Sequence, residues 1–169
     1  AQRGELRFGP GGWSGPQDGV IQPLPEALGG AVRARVELLP AAQRQVLSAI
    51  AWMRYPVSLK ALTAVLHPQR LLGASLEELV AVGLIRASGA DTWLPSHHEV
   101  RVAVEGWEPP GGAEAAHRRV MDSTEPEGLA LAWHTGGKSG AQIALTLGDE
   151  AWVSGAIHEA ESAFELAEA

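Results

Sequence analysis

The segment from residue 40 to residue 83 constrains the fold most, because three apolar patterns with helical spacing follow one another in it. The first pattern begins at Pro40 and has five apolar positions, Val46, Leu47, Ile50, Ala51 and Met53. The second follows Ser58, a residue type favoured at helix N-caps, and its inward positions are Leu59, Leu62, Val65 and Leu66. The third runs from about residue 70 to residue 82, with Leu72, Leu76, Leu79 and Val80 on one face. Gly83 is placed to end it, so three short helices are predicted.

Two short stretches after Gly83 predict a β-hairpin. Residues 84–86 and 92–94 carry apolar and β-branched side chains, and residues 88–91, Ser-Gly-Ala-Asp, provide the turn between them. A further helix is expected over residues 96–105. Three helices followed by a hairpin is the order of a winged helix-turn-helix, so we predict a winged-helix domain over residues 40–106. The predicted fold class is mainly α with a small β-hairpin.

Glycine and proline separate this unit from the regions on either side. Near the start, residues 9–12, Gly-Pro-Gly-Gly, form a strong turn signal between Phe8 and Trp13, which predicts a short hairpin. An extended arm follows, and then a helix that begins near Pro25 and is interrupted or bent at Gly29 and Gly30. Residues 106–112 form a second break, beyond which helices are predicted over residues 113–122, 128–135, 139–153 and 156–169. The sequence thus predicts three regions, 1–39, 40–106 and 107–169.

The last predicted region ends in a pattern of small residues. Ala144, Leu147 and Gly148 are followed by Ala160 and Phe164, and these spacings are similar to those of a tetratricopeptide repeat. Small side chains let two helices approach closely, with the phenyl ring filling the groove between them. A plain helical hairpin over residues 139–169 is the alternative. A single repeat cannot bury its own apolar face, so it requires further packing partners.

Charge and composition narrow the classes of function. The net charge is −7 and there is no cysteine, which excludes disulfides and thiolate chemistry. Residues 106–169 hold three basic and eleven acidic side chains, which argues against nucleic-acid binding in that region. No apolar run is long enough for a membrane span, so a cytoplasmic protein is expected. The chain opens on Ala1 rather than methionine, as expected for a processed chain or a piece of a longer protein.

None of the polar clusters predicts a catalytic or metal site. His97 and His98 are adjacent and would point about 100° apart on a helix, so they do not form a metal site by themselves. Residues 136–139, Gly-Gly-Lys-Ser, lack the first glycine of a phosphate-binding loop, because Ala132 stands in its place. We therefore expect no catalytic residue, no metal and no enzyme activity. We expect His117, Arg118 and Arg119 to occupy solvent-exposed positions on a helix. We expect His134 to be packed at the end of a helix.

Three stretches of the sequence resemble one family of bacterial regulators. Residues 39–47, 56–62 and 76–85 resemble the winged-helix module of STAND-type signal-transduction ATPases, and residues 116–120 and 131–134 look like the joining helices that follow it. In that family a P-loop ATPase precedes the winged helix, and tetratricopeptide-like repeats follow. The resemblance implies a non-catalytic module that couples a nucleotide switch to a protein partner or to neighbouring domains. ATP or ADP would then bind in a neighbouring domain, and no cofactor is expected in this chain.

The same resemblance suggests a nucleotide-sensing position. The family has a Met-His-Asp-like motif after the wing, and His97 matches its histidine. His98 stands in place of the acidic residue and Ser96 in place of the apolar one, and the resemblance implies a nucleotide-sensing role for His97 and His98.

A DNA-binding winged helix is the alternative function. In such proteins the third helix enters the major groove, and here the residues available for DNA contact are Gln69, Arg70 and Arg86. The same helix carries Glu77 and Glu78, which would repel phosphate. We therefore favour a packing role for this helix over DNA binding.

Overall fold

The computed structural model describes residues 7–9, 12–14, 26–66, 72–89 and 91–168. The first two segments form an antiparallel hairpin of strands β1 (Arg7–Gly9) and β2 (Gly12–Ser14), in which Phe8 is paired with Trp13. This is the short hairpin that the turn signal predicts.

Helix α1 (Glu26–Glu37) runs without a break through Gly29 and Gly30, so the helix is not interrupted at these glycines. Each glycine lowers helix propensity by about 1 kcal/mol relative to alanine, which weakens a helix but does not require a kink. Val36, near the end of α1, is buried in the main core and anchors the helix. Arg35 adds a hydrogen bond of 2.6 Å from its guanidinium to the carbonyl oxygen of Val82.

The next segment builds a compact unit of helices and strands, called the helix–sheet unit below. In chain order it contains α2 (Ala41–Trp52), β3 (Val57–Ser58), α3 (Leu59–Leu66), α4 (Leu72–Ala81), β4 (Ile85–Ala87) and β5 (Thr92–Pro95). The strands form one antiparallel sheet in the order β3-β5-β4. The described part of the chain is therefore mainly helical with a small antiparallel sheet, which confirms the predicted class. Strand β3, only two residues long, was not predicted.

Local signals set the ends of these helices. Pro40 occupies the N-cap position of α2, and the Ser58 hydroxyl accepts a hydrogen bond of 3.2 Å from the Ala61 amide at the start of α3. Gly83 has a φ of +71°, a left-handed conformation that favours glycine, and it follows the end of α4. These three sequence predictions are confirmed.

The main core lies between α2, α3, α4 and the sheet, and two predicted core positions are wrong. Val80 and Leu59 are both 43% exposed, although their spacing placed them inward. On α4 the buried face is instead completed by Ser75, next to Leu76 and one turn before Leu79. A face with buried positions at 72, 75, 76 and 79 leaves residue 80 at its edge, where solvent reaches it.

The remaining helices are α5 (His98–Ala103), α6 (Ala113–Thr124), α7 (Gly128–Thr135), α8 (Gly137–Ser154) and α9 (Ile157–Glu168). Helix α5 begins two residues later than predicted, because the Ser96 hydroxyl donates a 2.7 Å hydrogen bond to the carbonyl of Gly83 instead of capping the helix. Ala116 and Val120 of α6 are fully buried in the same core as the helix–sheet unit.

Two glycines allow α7, α8 and α9 to pack closely. The Phe164 ring of α9 lies so near Gly148 of α8 that a side chain there would overlap it, as the small-residue pattern predicts. Gly140 lies in the same way against the backbone carbonyl of Ala132 on α7. The seam between α8 and α9 is thus built from a glycine and an aromatic ring.

We expect Gly148→Ala to destabilise the protein by about 1–3 kcal/mol, because the new methyl group forces Phe164 out of its groove. The matched control is Gly73→Ala on α4, where the position is exposed and has no neighbour within 4 Å. That change should stabilise the protein by roughly 0.5–1 kcal/mol through helix propensity. Chemical denaturation of both variants measures the difference, and equal effects would contradict the packing described for Phe164.

Candidate functional site

The structure does not gather the predicted site residues into one place. His97 is the N-cap residue of α5 and His98 its first residue, and both are exposed. Arg86 lies on β4, exposed and paired with Leu94. Gln69 and Arg70 lie outside the described residues. The exposed face of α4 presents Glu77 and Glu78, and the latter accepts a hydrogen bond from Gln43 of α2.

A buried cluster of ring side chains instead joins the helix–sheet unit to α6 and α7, and we call it the junction. Its centre is His134 at the end of α7, which is 6% exposed. The Tyr55 hydroxyl, just beyond α2, lies 2.5 Å from Nε2 of His134. Nδ1 of His117 on α6 lies 2.9 Å from Nδ1 of His134. Three side chains from three parts of the chain therefore form one hydrogen-bonded line.

Two tryptophans pack around this line. The Trp52 ring at the end of α2 lies 4.8 Å from the His117 ring and 5.7 Å from the Trp133 ring, measured between centroids. Such tilted and edge-on arrangements are the favourable ones for aromatic pairs. The Arg54 guanidinium lies 6.0 Å from the Trp133 centroid, at the distance of a weak cation–π contact.

Burial keeps the junction uncharged. Burial and, to a smaller extent, the adjacent His117 together lower the pKa of His134 to about 4. Burial also lowers the pKa of His117 and raises the pKa of the Tyr55 phenol, so that the tyrosine stays protonated. The two Nδ1 atoms face each other, and there is room for only one proton between them. If both imidazoles were doubly protonated, their Nδ1–H groups would point at each other and repel. The neutral pair is the form that the fold accommodates.

Arg119 of α6 makes a second connection to the helix–sheet unit. Its guanidinium donates to the carbonyl oxygens of Ala64 at 2.8 Å and Val65 at 3.1 Å, near the end of α3. A third hydrogen bond of 2.9 Å reaches the carbonyl of Pro110. A cation at the carboxyl end of a helix also interacts favourably with the helix dipole.

These contacts settle three expectations about α6 and α7. His134 is a packed helix-end residue, as predicted. His117 and Arg119 were predicted to be solvent-exposed, and that prediction is wrong: His117 is half-buried in the junction, and Arg119 is bound to backbone carbonyls. The signal was present in the sequence, because residue 117 precedes buried Val120 by three positions and so shares its helix face.

The chemistry of the junction is structural. Tyr55 and His134 are buried and hydrogen-bonded to each other, so these two groups hold the helices together. Within the described ranges, no three histidine or carboxylate side chains converge as metal ligands would. The described helices include none with the length and apolar character needed to cross a membrane.

In comparisons with known proteins, no family model, no curated protein and no solved structure matches this chain. The function is therefore argued from the geometry of the chain itself.

We expect Arg119→Met to destabilise the protein by about 2 kcal/mol, because three carbonyl oxygens lose a charged donor. Arg118→Met is the matched control on the same helix, since Arg118 is 69% exposed and pairs only with exposed Glu114. Exposed pairs contribute little, so the control should stay within about 0.5 kcal/mol of the parent. Urea unfolding of both variants tests this, and an equal loss in each would contradict a specific role for Arg119.

Stability should fall as the pH drops from about 6.5 to about 4. The unfolded chain binds a proton at an ordinary histidine pKa of about 6.5, whereas folded His134 binds it only near pH 4. The stabilisation is therefore complete above the unfolded pKa and is lost on acidification, by at most about 3 kcal/mol.

The measurement is the free energy of unfolding between pH 7.5 and pH 4.5 for the parent, His134→Gln and His158→Gln. Loss of the titrating imidazole should flatten the pH dependence in His134→Gln. His158, on α9, has a fully exposed side chain, so His158→Gln should follow the parent. An unchanged slope in His134→Gln would refute the assignment.

Proposed function

We propose that this chain is a non-catalytic regulatory module of a larger signal-transduction or transcriptional regulator. In this proposal the helix–sheet unit is a winged helix, and α8 and α9 begin a tetratricopeptide-like array. The order α2, β3, α3, α4, β4, β5 and the sheet order β3-β5-β4 support the winged-helix assignment. The Gly148–Phe164 seam supports the repeat assignment. A nucleotide switch would act through a neighbouring ATPase domain.

The observation that carries this proposal is the junction. Tyr55 belongs to the helix–sheet unit and His134 to the C-terminal helices, and their buried hydrogen bond fixes one relative to the other. Arg119 fixes α6 to the end of α3 in the same way. A module that transmits a change at one end to the other needs rigid contacts of this kind.

A surface at the far end of α8 is suited to a protein partner. Val153 is 87% and Trp152 60% exposed, and Leu145 and Ile157 are also exposed large apolar side chains. The same two helices also carry exposed acidic residues, namely Asp149 and Glu150 on α8 and Glu159 and Glu161 on α9. The partner that we propose is therefore an amphipathic helix whose apolar face is flanked by lysine or arginine.

Direct DNA binding remains the weaker alternative. Among the described residues, α4 offers two exposed glutamates, and Arg86 is the basic residue of the β4–β5 hairpin. A groove-binding helix needs clustered cations, which neutralise phosphates and give a steep salt dependence.

The test is a set of calorimetric titrations of the whole chain at two salt concentrations. The ligands are a helical leucine–lysine peptide, its leucine–glutamate counterpart, a DNA duplex, and ATP or ADP. We expect only the lysine peptide to bind. Trp152→Ser should weaken this binding at least about tenfold, whereas Met121→Ser, which changes an exposed apolar residue on α6, should not. Submicromolar, salt-dependent DNA binding would favour the alternative, and tight nucleotide binding would contradict the proposal.

Amide hydrogen exchange tests the coupling itself. Binding of the lysine peptide at α8 should slow exchange in α3, and Arg119→Met should abolish that distant effect while leaving the peptide affinity unchanged. Peptide binding without any change in α3 would refute coupling between the α8 surface and α3 through Arg119.

A further inference from the structure

A cavity of about 340 Å³ lies between the end of α2, helix α5 and helix α9. Its walls include three partly buried tryptophans, Trp52, Trp107 and Trp133, and the side chains of Arg54 and Arg101. The volume is in the range of small-molecule sites, which are also lined by aromatic groups with a few polar ones. The cavity lies apart from the α8 surface that we assign to a protein partner.

Two donors of this cavity wall have no acceptor. Nε of Arg101 and Nε1 of Trp133 are both buried, and neither has a hydrogen-bond partner within the described residues. Buried polar groups are nearly always paired, since leaving one unpaired costs about 1–3 kcal/mol. Both nitrogen atoms are covered by neighbouring atoms, so an acceptor group of a ligand would satisfy them only after a small rotation of their side chains.

The charged side chains that line the cavity indicate the charge of its ligand. Arg101 is half-buried beside Arg54, and together burial and this second guanidinium lower the pKa of Arg101. Neither arginine forms an ion pair with a residue that the structure describes. Arg54 is also held at a φ of +38°, an uncommon and strained conformation for a residue other than glycine. The guanidiniums of half-buried Arg101 and exposed Arg54 are adjacent and form no ion pair with a described residue, which favours an anion at this side of the cavity.

Three glutamates limit the charge of that anion. Glu105, Glu165 and Glu168 also line the cavity, and Glu165 is close enough to Arg101 to oppose the lowering of its pKa. They would repel a phosphate dianion or a polyphosphate more strongly than an anion with a single charge. A carboxylate carries a single charge and matches the planar fork of an arginine, and the tryptophan walls suit an aromatic body.

We propose that this cavity binds a small aromatic carboxylate, with Arg101 and Arg54 holding the carboxylate and the tryptophans packing against the ring. Binding would connect α5 of the N-terminal side to α9 of the C-terminal hairpin. The module would then receive a small-molecule signal in addition to its protein partner.

Calorimetric titration of the whole chain with 2-naphthoate tests this proposal. We expect a Kd of about 0.1 mM or tighter, and no binding of the neutral isostere 2-naphthamide. Naphthoate and naphthamide binding equally well, or neither binding at millimolar concentration, would overturn the proposal. Tighter binding of ADP than of naphthoate would also overturn it.

Substitutions locate the site. Arg101→Met and Arg54→Met should each weaken naphthoate binding at least about tenfold, whereas Arg118→Met on α6 should leave it unchanged. Arg101→Met should also leave the thermal midpoint unchanged or raise it, because an unpaired buried guanidinium is removed. An unchanged naphthoate affinity in both arginine variants would refute the assignment, and a folded Arg54→Met keeps the test valid if Arg101→Met does not fold.

Discussion

The buried hydrogen bond between Tyr55 and His134 is the contact on which the arrangement of this protein depends. Both side chains are more than nine-tenths buried, and they lie 79 residues apart in the chain. His134 is held on its other side by His117, so one imidazole sets the positions of α2, α6 and α7 together. If Tyr55 were replaced by an apolar residue, the buried Nε2 atom of His134 would lose its hydrogen-bond partner.

The sequence predicts most elements of this fold because their signals are local. Proline at position 40, serine at position 58 and glycine at position 83 mark helix ends through the conformation of a single residue. The spacing of Gly148 and Phe164 likewise predicts a close helix pair, since each residue type has a fixed steric role. The binary pattern fails only at the edges of helix faces, as at Val80 and Leu59, where a small rotation exposes a side chain.

The junction was not predictable in the same way. Tyr55, His117 and Arg119 acquire their roles from partners that are 79, 17 and 55 residues away. A histidine or an arginine on a helix is predicted to be solvent-exposed unless the spacing of neighbouring apolar residues places it on the buried face. For His117, the one sequence signal of burial is that it shares a helix face with Val120. The sequence around Arg119 contains no signal for the carbonyl oxygens that it binds. The two-residue strand β3 was missed because its pairing with Trp93 of β5 depends on the tertiary fold.

The closeness of Trp52 to His117 gives the protein a built-in optical reporter. The two ring centroids are 4.8 Å apart, and a protonated imidazole quenches indole emission, whereas a neutral one does so far less. The charge state at the centre of the molecule is therefore coupled to its intrinsic fluorescence. Movements that separate α2 from α6 would change the emission of Trp52, one of the six tryptophans of the chain, so this contact can be followed without attaching a dye.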